Sequence, residues 1–219
     1  MLFSLQGRTA FITGDSRGIG RMVAEGFLAQ GARVYISARK AAACDLTAQE
    51  FARTGHCVSL PYDVSTVAGC QALADAYAQH EPTLDILINN AGAAWGEDLD
   101  ALPESGWDKV ADLNMKTPFF LTKALSEPLR AAARARVGKI INISSTDGIG
   151  LNPQENYSYV ASNAGLIHLT RRMALGQRSA SAAPAQRTLG QRTAFICGQQ
   201  AAGRTRPAGS DDQKGLVSD

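Results

Sequence analysis

Tyr159 and Asn163 stand four residues apart in the stretch YSYVASNAGLIHLTRRMAL, residues 157–175. The stretch reads as a helix, and on a helix this spacing puts both residues on one face. A tyrosine with a lysine four residues on makes a phenol able to exchange protons, because the nearby positive charge favours the phenolate. Here the fourth residue is an amide, which can hydrogen-bond but brings no charge. A phenol ordinarily titrates near about 10, so it works poorly at neutral pH without help. An opposite charge at close range would lower that value by about 1–3 pH units. His168, Arg171 and Arg172 follow on the same stretch. Arg171 lies about 18 Å further along the helix axis, too far to act. Tyr157 is no substitute, because its fourth residue on is Ala161.

A second chemical feature is FITGDSRGIGRMVAEGF, residues 11–27, which follows an apolar run and opens a helical stretch. Gly14, Gly18 and Gly20 let the backbone turn sharply and approach a ligand closely. The helix start then offers unpaired N–H groups and a positive dipole end to a pyrophosphate. A dinucleotide site that prefers NAD has an acid about 20 residues further on, for the ribose 2′-hydroxyl. Arg39 and Lys40 occupy that place, and Arg17 sits inside the loop. Positive groups there suit a 2′-phosphate and favour NADP(H).

These residues need a scaffold, and the pattern up to Leu175 supplies one. Short apolar runs at RTAFIT, ARVYIS, HCVSLPY, LDILIN and GKIINIS alternate with helical stretches at 18–30, 41–54, 66–80 and 104–135. Nearly continuous apolar strands between helices mean a parallel sheet covered on both faces. Right-handed crossovers make it an α/β, Rossmann-type doubly wound sheet.

Among 219 residues, 45% are hydrophobic, enough for one domain with a core. No apolar run approaches the length of a membrane span. The start, MLFSLQGRTAFITG, does not have the pattern of a signal peptide. Cys44, Cys57, Cys70 and Cys197 show no metal-site spacing, so thiols in a reducing cytoplasm are expected and no metal. A net charge of +2 without a basic block gives no sign of nucleic-acid binding. Residues 1–175 hold 16 Lys and Arg against 17 Asp and Glu, while residues 176–219 hold 6 against 3. The strand–helix alternation also stops there. The expected division is a dinucleotide-binding and catalytic domain at 1–175 and a disordered tail at 176–219, with a weak strand at RTAFIC as the alternative.

Over about residues 5–175 the chain resembles the short-chain dehydrogenases/reductases. TGDSRGIG resembles their cofactor loop, which implies cofactor contacts from Gly14, Ser16, Arg17, Gly18, Ile19 and Gly20. YDV resembles their adenine contact, implying roles for Asp63 and Val64, and NNAG resembles the signature lining the cofactor cleft, with Asn90, Ala91 and Gly92. Asn114 falls where the family has a helix-breaking Asn that holds a proton-relay water. Ser145 and Tyr159 fall on the family's catalytic Ser and Tyr, and Asn163 falls on its Lys. FSLQGRTAFITG, NNAGAAWG and GWDKVADLN are similar to the NADPH-dependent 3-oxoacyl reductases, including the rhamnolipid-pathway type.

The resemblance implies hydride transfer to a carbonyl carbon, a proton from Tyr159 and a hydrogen bond from Ser145 to the oxygen. Its substrate would be a small ketone or acyl thioester. Losing the lysine's charge is expected to cost on the order of the acid–base contribution, about 10²–10⁴-fold. The family's sixth strand, P-G turn, substrate-covering helices and seventh strand are not readable after Leu175, so the sheet is expected to be incomplete. A shift of reading frame near residue 176 would account for that. Three functions compete: an active reductase of impaired rate, a non-catalytic nucleotide-binding relative, and a decayed reductase.

Two expectations can be checked directly. Arg39→Asp should weaken NADPH binding and spare NADH, and equal effects would remove Arg39 from the 2′-phosphate site. Any self-association should use the helices holding Asn114 and Tyr159 and give a homodimer. A stable tetramer in light scattering would contradict that.

Overall fold

The computed structural model describes residues 3–14, 18–135, 138–179, 192–197 and 217–218. Strand β1 (Thr9–Thr13) is followed by α1 (Gly18–Ala29), β2 (Arg33–Ser37), α2 (Ala41–Phe51), β3 (Cys57–Ser59) and α3 (Val67–Ala78). Then come β4 (Ile86–Asn89), the short β5 (Gly92–Ala93), α4 (Glu104–Ala111), α5 (Thr117–Ala124) and α6 (Ser126–Ala135). Strand β6 (Lys139–Ser144), α7 (Tyr157–Ser179), β7 (Arg192–Cys197) and β8 (Val217–Ser218) complete the described chain. The main sheet has the order β3-β2-β1-β4-β6-β7, and its strand pairs are parallel. The strand order reverses between β1 and β4, and a doubly wound sheet opens its ligand crevice beyond the carboxyl ends there.

Every residue of β1 and β4 is buried, which is why the sequence of each reads as an unbroken apolar run. Side chains nevertheless alternate between two cores. Phe11, Tyr35, Leu87 and Ile140 face a layer that includes Leu73, Tyr77, Leu121, Leu125 and Leu129. Ala10, Ile12, Val34, Ile36, Ile86 and Ile88 face the opposite layer, with Ala24, Leu28, Cys44 and Phe51. On β6 the second face is less well covered, and Ile141 and Ile143 are only half-buried.

The helical stretch 104–135 holds separate helices. A π-helical turn, Asp112–Lys116, separates α4 from α5, and α6 starts afresh at Ser126. Residues 192–197 form β7, the strand given above as the alternative to a disordered tail. The exposed edge of β6 accounts for this, because its unpaired N–H and C=O groups are a template for another strand. β7 pairs along its whole length, from Lys139↔Arg192 to Ser144↔Cys197. The short β8 pairs antiparallel with β5.

Buried phenols brace the first core. Tyr35 donates to Glu81 Oε1 at 2.8 Å, Tyr77 donates to the Thr83 carbonyl at 2.8 Å, and the two rings meet edge to face at 5.0 Å. Burial above all pushes both phenols well above their usual 10.0, with the Glu81 carboxylate adding to the rise at Tyr35. The folded protein therefore holds these protons more tightly than the unfolded chain does. That contribution to stability is whole below the unfolded value of 10.0 and is lost as pH climbs above it. The urea midpoint should fall as pH rises above about 10, and Tyr77→Phe should flatten the fall. An equally steep fall in the variant would show that Tyr77 does not cause it.

Candidate active site

The carboxyl ends of β1 and β4 meet at Gly14. Thr13 Oγ1 accepts from the backbone N–H of both Asn90 and Ala91, each at 3.1 Å. The Asn90 amide donates to the carbonyls of Thr13 (3.0 Å) and Gly14 (2.8 Å). Gly14 has φ +70°, and a Cβ there would stand 2.8 Å from the Ala91 Cα. A Cβ on Gly20 would collide with the Gly14 carbonyl. The start of α1 thus lies directly against the ends of two strands, and side chains at either glycine would separate them. Gly18 opens α1, and Ile19 is half-buried in its first turn. Ser16 and Arg17 lie outside the described residues.

Beside this junction is a cleft of about 390 Å³. Gly14, Arg39, Asp63, Val64 and Ala91 all line it, so the structure brings together residues drawn from four separate stretches of sequence. Asp63 Oδ1 accepts from Ser65 N–H at 2.9 Å, which fixes the turn after β3. Tyr62 of the YDV stretch also lines the cleft, as do Ser105, Asp108 and Lys109 of α4, which were given no site role from the sequence. Burial, and then the Asp63 carboxylate, push the Cys70 thiol behind this turn up to about 11.

Tyr159, Ser145, Asn114 and Asn163 converge at the other end. All four are buried. Ser145 follows β6 and its hydroxyl accepts from Asp147 N–H at 3.2 Å, capping a short 3-10 turn, Thr146–Gly148. The same hydroxyl lies near the Tyr159 phenol and favours its ionised form. Burial raises that phenol above its usual 10.0, and the Asp147 carboxylate adds to the rise. Hydrogen bonds from Ser145 and Asn163 pull it down, but the net direction is upward.

Asn114 sits in the π-helical turn. Its Oδ1 accepts from Ala93 N–H at 2.7 Å, and its Nδ2 donates to the Ala93 carbonyl (2.9 Å) and to Ser162 Oγ (3.3 Å). The side chain therefore pins β5 to α7. Asn163 also points inward. Its Nδ2 donates to the Tyr159 carbonyl at 2.9 Å and its Oδ1 accepts from Ser144 at 3.0 Å. The Asn163 amide is thus bonded on one side to β6 and on the other to its own preceding turn. Ser144 went unnoticed in the sequence, since its partner is 19 residues away. A cavity of about 10 Å³ lies among Asn90, Gly92, Asn114, Ser144, Tyr159 and Asn163.

Comparison with known proteins places the chain in a family. The short chain dehydrogenase family model matches residues 8–180. The chain belongs to the short-chain dehydrogenase family. It is 45% identical over 173 residues to the rhamnolipids biosynthesis 3-oxoacyl-[acyl-carrier-protein] reductase of Pseudomonas aeruginosa, covering 78% of this chain and 68% of that protein. The solved NADP active-site complex of Pseudomonas aeruginosa RhlG superposes with a TM-score of 0.78 at 43% identity, over 80% of this chain and 69% of that one. A metagenomic short-chain oxidoreductase in complex with NADP gives a TM-score of 0.77 at 32% identity, over 91% and 86% of the two chains.

Proposed function

We propose that the protein is an NADP(H)-dependent oxidoreductase acting on a ketone or 3-oxoacyl substrate, with a weakened proton-transfer step. The observation that carries this is the buried pair of Ser145 and Tyr159, joined to the Gly14–Gly20 cradle by Asn90 and Ala91, which touch Gly14 and line the Tyr159 pocket. The cradle fits a dinucleotide: without side chains at Gly14 and Gly20 the start of α1 packs against the ends of β1 and β4, and a helix start there offers unpaired N–H groups to a pyrophosphate. Gly14, Gly18, Ile19 and Gly20 would hold the pyrophosphate, with Ser16 and Arg17 completing the loop. Asp63 and Val64 would hold the adenine, and Asn90, Ala91 and Gly92 the rest of the cleft floor. Arg39 lines the cleft at the end of β2, where a 2′-phosphate needs a counter-charge. The relatives captured with NADP support the same choice.

When bound, the cofactor supplies the hydride. The protein's own residues manage the oxygen. Ser145 hydrogen-bonds it and Tyr159 protonates it as negative charge develops. Asn114 holds β5 against α7 beside a cavity whose volume is near the minimum for one water, which suits a proton relay. With the phenol held high and no charge at 163, Tyr159 remains protonated at neutral pH but is a weak acid. Cytoplasmic location and pairing through the helices of Asn114 and Tyr159 go with this reading. A division near residue 175, with a frame change behind the altered composition, goes with it too.

A second reading has a specific observation behind it. Asn163 brings no charge to the phenol and its amide is tied to Ser144 and the Tyr159 carbonyl, so the cleft could bind a nucleotide without turning over a substrate. NADPH and NADH titrations by calorimetry test the shared part, and binding of neither would end both readings. Asn163→Lys then separates them. A restored charge one turn from Tyr159 should lower its titration by about 1–3 pH units and raise ketone reduction about tenfold or more. Asn163→Lys combined with Tyr159→Phe should stay inactive. A variant that binds NADPH but gains no activity would favour the nucleotide-binding role.

A further inference from the structure

Ser144 is the last residue of β6 and immediately precedes Ser145. Its buried hydroxyl reaches two atoms of one residue, Asn163 Oδ1 at 3.0 Å and the Asn163 carbonyl at 3.2 Å. The Asn163 amide nitrogen turns the other way and donates to the Tyr159 carbonyl at 2.9 Å. One side chain therefore links the end of β6 to the turn of α7 that carries the phenol. The other end of the Ser145 segment is held as well. Gly148 closes the 3-10 turn flat against α7, where a Cβ would stand 2.8 Å from the Asn163 carbonyl carbon and 3.0 Å from Ala164 N. Ser145 thus sits on a short loop fixed on both sides against the same turn of helix.

We infer that Ser144 and Asn163 form a clamp holding Ser145 at the Tyr159 phenol, which makes Ser144 a positioning residue for proton transfer. This rests on the reading of Tyr159 as the proton donor. Both bonds of the Ser144 hydroxyl go to Asn163, so Ser144 acts through its neighbours. The charged group that acts on the phenol is Asp147, on the loop that the clamp holds. The clamp also gives the amide at 163 a purpose. It supplies geometry at a position where charge would otherwise do the work. Asn163→Lys would then exchange one contribution for the other, and its gain would be smaller than the charge alone provides.

The test is tyrosine labelled with carbon-13, followed by NMR in the full chain without cofactor, with Tyr159→Phe to assign the signal. Ser144→Ala should move the Tyr159 ring-carbon shift at neutral pH, because the Ser145 bond loosens. Its titration midpoint should rise by the equivalent of about three- to tenfold weaker acidity. Ser144→Thr, which keeps a hydroxyl, should restore the native signal. Adding Ser144→Ala to Asn163→Leu should change nothing further, since the partner is already gone. Gly148→Ala is an independent arm, pressing the loop off the helix from the other side, and should shift the signal in the same direction. A Ser144→Ala protein that loses stability but keeps the native Tyr159 signal would overturn the clamp, as would fully additive shifts in the double variant. None of these signals depends on NADPH, so a failure of nucleotide binding would strike the proposed function alone.

Discussion

The site depends on how closely two strand ends can approach. β1 and β4 are neighbours in the sheet, and beyond their carboxyl ends the chain must turn away in two directions. Four hydrogen bonds close that fork: two join Asn90 to Thr13, one joins Asn90 to the Gly14 carbonyl and one joins Ala91 to Thr13. The bonds satisfy backbone groups that leave the sheet ladder at this point, and buried groups of this kind are costly to leave unpaired. Only then can α1 begin so near the sheet. The glycines at 14 and 20 are the residues that this proximity permits.

A second set of polar contacts does for β6 and α7 what the fork does for β1 and β4. Asn89 donates to Asn142 Oδ1 at 2.8 Å, and Asn142 donates to Thr170 Oγ1 at 2.8 Å. Two residues further along the strand, Ser144 repeats the link at Asn163. Strand and helix run in opposite directions, so the two rungs fix their register. An apolar contact alone would tolerate a slide, whereas a buried amide bonded at both ends does not. Ser145 and Tyr159 inherit their separation from this register.

Much of this was legible in the sequence. The apolar runs at residues 8–13, 32–37 and 84–89 and the glycine spacing announced a parallel sheet with a nucleotide loop, because those signals are local and periodic. The chemistry at 159 and 163 was legible as residue types and a spacing. Which way Asn163 points was not, because its partners lie on β6 and its own preceding turn. The π-helical turn was hidden for another reason. Asp112–Lys116 sits inside a stretch whose apolar residues keep a helical rhythm on both sides, and one wider turn barely disturbs it. RTAFIC carried only six residues of signal, and what made it a strand was the free edge of β6. The chain's membership in the short-chain dehydrogenase family was readable from motif order. Ser144 was not, since a serine at a strand end has many ordinary explanations.

The π-helical turn has a mechanical side. A helix of this width stacks its backbone bonds less well than an α-helix, which is why such turns are rare and short. Here it joins α4 to α5, and Asn114 at its centre ties the weak joint to β5 and to Ser162. The two helices therefore form a rod with one compliant segment, and that segment lies beside the Tyr159 pocket. α4 forms one wall of the large cleft through Ser105, Asp108 and Lys109. Bending at the joint would swing that wall while α5 stays anchored in the core by Leu121. The width of the large cleft and the position of Asn114 would then be two readings of one coordinate.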